Sequence, residues 1–326
     1  MTKPKVYVTR LLPEPAMERM RSTCEFEVWD GELPPPRKIL LEKVLDKVGL
    51  LCLLTDKVDY QLMDKAPKLR VISNYAAGYD NIDVSEATKR RIIVTNTPDV
   101  LTDTTADFTF ALLLAAARRV VEGSKQVREH KWKTWSPLTL LGVDVHDATL
   151  GIIGLGRIGT AVARRAKGFD MTVLYYSLNR KRKVEEELGI RYAELGSLLS
   201  ESDFITIHTG LTRDTYHLIG SRELAKMKGT SVLVNTARGP IVDNVALYAA
   251  LRDHKIAFAA LDVTEPEPLP RDHPLLTLEN IVITPHIASA SVTSRTKMAL
   301  MAVDNLIAAL TGRIPPNPIN PHAMTN

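Results

Sequence analysis

Three side chains stand out by type and by what precedes them. Asn235-Thr236-Ala237-Arg238-Gly239 sets an arginine just past an apolar run, which in an α/β fold is the carboxyl end of a strand, facing the ligand crevice. The planar guanidinium of Arg238 can hold a carboxylate and polarise the carbonyl beside it. The next apolar run is left by a proline-stiffened acidic loop, Asp262-Val263-Thr264-Glu265-Pro266-Glu267-Pro268, and the last by Thr284-Pro285-His286. A proton donor at His286, a carboxylate at Glu267 to orient it and a guanidinium at Arg238 form one functional set for general acid–base chemistry. Each of the other seven of the eight histidines reads as a surface residue. The acidic cluster Asp262, Glu265, Glu267, Asp272 with His273 lacks ligand spacing, so no metal is expected.

A second kind of chemistry is written in glycine. Gly154-Leu155-Gly156-Arg157-Ile158-Gly159 follows a strand-like run and opens a helix-like one, the context that gives this spacing meaning. Gly154 makes the tight turn, Gly156 admits a pyrophosphate close to the backbone, and Gly159 lets helix and strand pack closely. The helix start offers free N–H groups and a partial positive charge to that anion. At the end of the following strand stands Ser177, where an NAD site usually has an acidic residue. Ser177 with Arg180 fits a 2′-phosphate, so NADP(H) is expected to be preferred, with NAD(H) also accepted. Lys181, Arg182 and Lys183 read as the solvated start of a helix.

These groups need a scaffold of parallel strands. Runs at 5–9, 26–29, 49–54, 69–73 and 92–95 read as strands, alternating with amphipathic or polar segments. A second series has strands at 149–153, 172–176, 204–208, 231–235, 257–263 and 281–284, with helices between them. Six strands with intervening helices make a doubly wound nucleotide-binding domain. A helix over 102–121, apolar almost all round, is expected to be buried on several sides, between domains or subunits. A last helix over 291–310 can return to the first domain. The fold expected is therefore α/β: a Rossmann-type nucleotide domain at 100–287, inserted in a flavodoxin-like substrate domain of residues 1–99 and 288–326.

The bulk numbers are those of an ordinary globular protein: 326 residues, 45% hydrophobic and 25% charged. The net charge of +4 is spread along the chain, unlike the concentrated basic face that nucleic acid needs. Only Cys24 and Cys52 are present, with no CxxC pair, which suits a reducing compartment. With no signal-peptide or membrane-spanning run, a cytoplasmic protein without membrane contact is expected.

Taken in order, these segments resemble the D-2-hydroxyacid dehydrogenase family over essentially the whole chain, and within it the glyoxylate/hydroxypyruvate reductases. The shared runs include Thr97-Pro98-Asp99-Val100-Leu101-Thr102-Asp103-Thr104-Thr105-Ala106, Gly151 through Gly159, Leu261-Asp262-Val263-Thr264, and Thr284-Pro285-His286-Ile287-Ala288-Ser289-Ala290. The resemblance implies hydride transfer from NAD(P)H to a small 2-keto acid, with His286 as general acid, Glu267 its partner and Arg238 binding carboxylate and keto oxygen. It implies that the N–H groups of Ala77 and Gly78 bind the substrate carboxylate, with Ser289 also at the substrate. Asp262 would hold the nicotinamide carboxamide and Thr105 would touch the cofactor backbone. It also implies a homodimer in which Trp135 of the partner subunit closes over the substrate. Leu178 stands where NADP-preferring relatives often carry arginine. A 3-phosphoglycerate dehydrogenase, another dehydrogenase of the family, and a redox-sensing corepressor of the same fold are the competing expectations.

Overall fold

In the computed structural model, which describes residues 2–324, the short apolar runs pair as parallel strands in two sheets. The chain divides into two units, one made of residues up to Leu101 together with those from Ala290, the other of Thr102–Ser289. The first holds β1 (Lys5–Val8), β2 (Glu25–Val28), β3 (Gly49–Cys52), β4 (Val71–Asn74) and β5 (Ile93–Thr95). Their order is β2-β1-β3-β4-β5, the flavodoxin-like arrangement. Every residue of β3 and β4 is buried, as strands covered on both faces must be. One cover is the helix Val292–Leu310, which packs on β3, β4 and the helix Glu14–Thr23. The Ser73 hydroxyl donates to the Ala302 carbonyl at 2.7 Å and locks it there.

The second unit holds β6 (Thr149–Ile153), β7 (Thr172–Tyr176), β8 (Arg191–Tyr192), β9 (Phe204–Ile207), β10 (Val232–Asn235), β11 (Phe258–Leu261) and β12 (Ile281–Ile283). The order β12-β11-β10-β9-β6-β7-β8 is the doubly wound pattern, with its switch point between β6 and β9. Register decides function here. Tyr176, Ile153, Ile207, Asn235, Leu261 and Ile283 stand level across six adjacent strands. Each is the last residue of its strand, so the segments that follow leave the sheet from one edge.

Two expectations about elements are corrected. The helix expected over 102–121 stops at Ala117, and a second helix runs Val120–Arg128. The break comes at Arg119, in left-handed backbone (φ 52°), while the freed Ala117 carbonyl accepts from the Val143 N–H at 2.9 Å. The first helix is apolar nearly all round because it is core within its own unit. It packs against β10, β11 and the helix Arg157–Ala166, and Phe110 stacks on Phe169 with ring centroids 5.3 Å apart. The second correction is β8, a two-residue edge strand that extends the expected six strands to seven among the described residues. Two residues carry no readable period.

Candidate active site

Arg238, Asp262 and His286 follow three neighbouring strand ends by three, one and three residues. Strands about 4.8 Å apart bring these exits within about 10 Å of sheet width. Each exit is then shaped locally. At Arg238, the Asn235 side chain folds over its own turn, accepting from Ala237 N–H at 3.0 Å and donating to the Arg238 carbonyl at 2.8 Å. Gly239 follows because nothing larger fits: a Cβ there would lie 1.9 Å from the Thr264 carbonyl oxygen. The Arg238 loop and the acidic loop thus touch backbone to backbone. Arg238 itself is half-buried, and one guanidinium nitrogen donates to the Ala237 carbonyl at 2.8 Å.

The His286 segment is anchored by Asp262. This buried carboxylate accepts from the Thr284 hydroxyl at 2.6 Å and from the N–H groups of Ile287 at 2.9 Å and Ala288 at 2.7 Å. Three of its roughly four acceptor positions are thereby filled. His286 takes left-handed backbone (φ 54°), its own N–H bonded to the Asp262 carbonyl at 2.9 Å. Its Nδ1 lies 2.6 Å from Glu267 Oε1. A carboxylate can only accept, so Nδ1 carries the proton, and Nε2 is left for a reacting group. Ser289 is half-buried at the end of this segment.

The glycine turn lies at the switch point, between β6 and its helix. Gly154 adopts φ +96°, and a Cβ there would press on the His208 and Thr209 backbone at 2.7 Å. A Cβ on Gly159 would lie 2.1 Å from the Gly154 carbonyl oxygen, whereas one on Gly156 would meet nothing within 4 Å. Leu155 is buried beneath the turn, Gly156 and Arg157 are exposed on its outer side, and Ile158 is half-buried against the core. Gly156 caps the helix Arg157–Ala166 with no side-chain bond, so its first N–H groups can serve an anion. Open space above a bare backbone at a helix start fits a dinucleotide pyrophosphate. Thr105 is buried in the helix Thr102–Ala117.

Ser177, half-buried, directly follows β7, while Leu178 is exposed. Arg180 is already engaged: its Nε and Nη2 donate to the Glu185 carboxylate at 2.9 and 2.8 Å, and its guanidinium lies 5.5 Å from the Tyr192 ring centroid. Tyr175 also donates to Glu185, at 2.5 Å. The Arg180 and Tyr175 hydrogen bonds hold the Glu185 carboxyl down at about 2.

In the other unit, Ala77 and Gly78 follow β4 in a loop where three successive carbonyls are held. Ala76 O accepts from Thr97 N–H at 2.9 Å, Ala77 O from Asn96 Nδ2 at 2.7 Å, and Gly78 O from Asn74 Nδ2 at 2.9 Å. In a trans peptide the next N–H points opposite to the carbonyl. Pinning these three carbonyls therefore leaves the N–H groups of Ala77, Gly78 and Tyr79 directed away from those partners. Asn74 and Asn96 escaped sequence reasoning.

Trp135 is 78% exposed, in the segment after the helix Val120–Arg128. Two histidines are not the surface residues expected. His208 follows β9 beside the glycine turn, with its Nε2 sealed from solvent and unpartnered among the described residues; burial pushes it down to about 3. His217 lies 2.9 Å from Glu265. No group of three or more possible metal ligands occurs among the described residues, and none of their helices is long and apolar enough to cross a membrane.

Residues 110–288 match the model of the NAD-binding domain of the D-isomer specific 2-hydroxyacid dehydrogenases. The chain is 56% identical over 319 residues to a glyoxylate reductase of Korarchaeum cryptofilum, covering 98% of this chain and 96% of that one. It is 51% identical to a glyoxylate reductase of Thermococcus litoralis over 99% of each. Among solved structures, a Thermus thermophilus protein matches with TM-score 0.91 and 48% identity, over 97% of this chain and 99% of that one. An NADPH-dependent glyoxylate/hydroxypyruvate reductase of Sinorhizobium meliloti, solved with NADP and malonate, matches with TM-score 0.85 and 32% identity, over 100% and 99%.

Proposed function

Because the chain belongs to the D-isomer specific 2-hydroxyacid dehydrogenase family, we propose that it reduces a small 2-keto acid, glyoxylate or hydroxypyruvate, to the 2-hydroxy acid with NAD(P)H. It is an oxidoreductase with a nicotinamide dinucleotide cofactor. The observation that carries the substrate side is the His286–Glu267 pair at 2.6 Å, on loops that leave the same sheet edge as Arg238. Glyoxylate reductases at 56% and 51% identity support the choice of acid.

A reduced nicotinamide held at the glycine turn would supply the hydride for the keto carbon. His286 donates its Nε2 proton to the oxygen as negative charge develops there. Glu267, accepting from Nδ1–H, orients the imidazolium ring that carries this second proton. The Arg238 fork binds the carboxylate and draws charge toward the keto oxygen, so the acid arrives oriented. We assign carboxylate binding also to the N–H groups of Ala77 and Gly78, and a further substrate contact to Ser289. The remaining acceptor position of Asp262 is assigned to the nicotinamide carboxamide, and Thr105 to the cofactor backbone. Ser177 and Arg180 are assigned to a 2′-phosphate, making NADPH the preferred reductant and NADH an accepted one.

The assembly we infer is a homodimer. Val120, Val121, Val127, Trp132, Leu138 and Leu141 are large apolar side chains about half exposed or more, grouped on one helix and the segment after it. A hollow of ≈ 240 Å³ among Gly123, Gln126, Val127, Trp132, Thr139 and Leu140 opens in that face. A second copy of the chain would cover so much contiguous apolar surface, and Trp135 of the partner subunit would then close over the substrate.

The deciding experiment is a set of initial rates on glyoxylate, hydroxypyruvate, larger 2-keto acids and carboxylate-free aldehydes, with both reductants. Small 2-keto acids should be reduced with the highest kcat/KM, and removing the carboxylate should cost at least about 100-fold, since a bidentate charged contact is lost. Aldehydes turned over as fast as the keto acids would refute the assignment.

A further inference from the structure

We propose that His217 is a positioning residue that ties the Arg238 loop to the Glu267 loop, so that the guanidinium and the histidine–glutamate pair keep their relative placement. The inference rests on the roles given to Arg238, Glu267 and His286 above.

His217 lies between β9 and β10, remote in sequence from both loops, and reaches each by a different group. Its backbone N–H donates to the Pro240 carbonyl at 2.8 Å, two residues past Arg238. Its ring Nε2 lies 2.9 Å from Glu265 Oε2, two residues before Glu267. Because a carboxylate only accepts, Nε2–H is the donor. The acidic loop thus carries two histidine–glutamate pairs, His217–Glu265 and His286–Glu267.

The surroundings hold His217 in that double role. Tyr216 stacks on its ring, with centroids 4.0 Å apart, and donates its hydroxyl to Glu265 Oε1 at 3.3 Å. Asp243 Oδ2 stands 3.9 Å from Nδ1, and the same carboxylate caps the helix Asn244–Arg252 by accepting from Val245 and Ala246 N–H. Ile219 N–H donates to the Ile241 carbonyl at 3.0 Å, clamping the chain on the other side of the ring. His217 itself sits in left-handed backbone (φ 50°), an uncommon conformation for a residue with a Cβ.

The three catalytic segments are fixed by different means. Asp262 anchors the His286 segment and Asn235 the Arg238 turn, each within its own neighbourhood. The Glu267 segment is held from several directions, with the buried Thr264 and Asn244 among its anchors. Thr264 donates to the Pro266 carbonyl at 2.8 Å, Asn244 donates to the Glu265 carbonyl, and His217 and Tyr216 hold the Glu265 side chain. Of these, only His217 also bonds the Arg238 loop. A shift of about 1 Å at Glu267 turns the His286 ring away from the reacting oxygen, and such misplacement costs up to about 100-fold in rate.

The test is a double-mutant cycle on keto-acid reduction with His217→Ala, His286→Asn and the pair, beside His217→Gln, whose amide can still donate to Glu265. His217→Ala should lower kcat about 10-fold or more while the KM for the reduced cofactor and the melting temperature stay near wild type. His217→Gln should recover most of the rate. In the His286→Asn background, His217→Ala should change the residual rate less than 2-fold, because the pair it positions is already gone. Full activity in His217→Ala, or an equal loss in both backgrounds, overturns the positioning role. Wild-type turnover in His286→Asn instead overturns the reading of His286 as the acid, and the inference falls with it. Where His217→Ala does not fold, Glu265→Ala cuts the same tie and leaves the N–H bond to Pro240, and the same outcomes apply.

Discussion

Preference for NADPH is predicted to be small, and Glu185 is the reason. A 2′-phosphate beyond β7 would meet the neutral Ser177 and the cation Arg180, with no acidic side chain directly after the strand. Arg180 is well oriented by its two bonds to Glu185, but those bonds occupy two of its five donors and set a carboxylate beside the phosphate position. The Arg180 side chain is also 53% exposed, where solvent and salt screen its charge. A single charge-assisted contact in a dry site is worth about 10-fold or more; shared and wet, this one should give NADPH an advantage of about 5-fold in kcat/KM. Arg180→Ala should remove that advantage and leave NADH kinetics almost unchanged. Glu185→Gln removes the competing charge and should raise the NADPH advantage by about another 5-fold, more at low salt. Ser177→Asp should reverse the preference, since a carboxylate accepts from free ribose hydroxyls and repels phosphate. The assay is kcat/KM for each reductant at saturating glyoxylate and fixed ionic strength. Equal losses for both reductants in Arg180→Ala would show that Arg180 only supports the loop, and a strong NADH preference in the unmutated enzyme would refute the pocket altogether.

Two further outcomes follow from side chains outside that pocket. His208 is neutral in the folded state because burial holds it at about 3, whereas the unfolded chain binds its proton below about 6.5. Between those two values the unfolded state holds the extra proton, so stability falls as pH falls, by up to about 1.4 kcal/mol per pH unit. In His208→Asn that part of the slope should vanish, and urea midpoints from pH 7 to 5 should converge with wild type; parallel curves would show that His208 is not the group responsible. For the assembly, sedimentation at micromolar concentration should give twice the 36.2 kDa chain mass, and Val127→Asp should split it. Trp135→Ala should raise the keto-acid KM without splitting it, and a fully active wild-type monomer would defeat the dimer.

What was readable in the sequence is what repeats or what ends a repeat. A buried parallel strand is an unbroken apolar run, and the row Tyr176, Ile153, Ile207, Asn235, Leu261 and Ile283 marks where six such runs stop. Side chains placed just past that row are marked by position, which is the ground on which Arg238, Glu267, His286 and Gly154 are proposed without coordinates. Features with no period were invisible. The helix break at Arg119 depends on a left-handed residue and on the Val143 N–H arriving from 26 positions away in sequence to take the Ala117 carbonyl. The ties that hold the loops are of the same kind: Asn96 to Ala77, Asn74 to Gly78 and His217 to Glu265 join residues 19, 4 and 48 apart. Nor does left-handed backbone substitute for a period, since His130 and His254 share the conformation of His217 and His286 yet sit just past helix ends. Only the combination, left-handed backbone with a ring nitrogen on a carboxylate of the acidic loop, separates His217 and His286 from the other histidines, and both halves of it belong to tertiary structure.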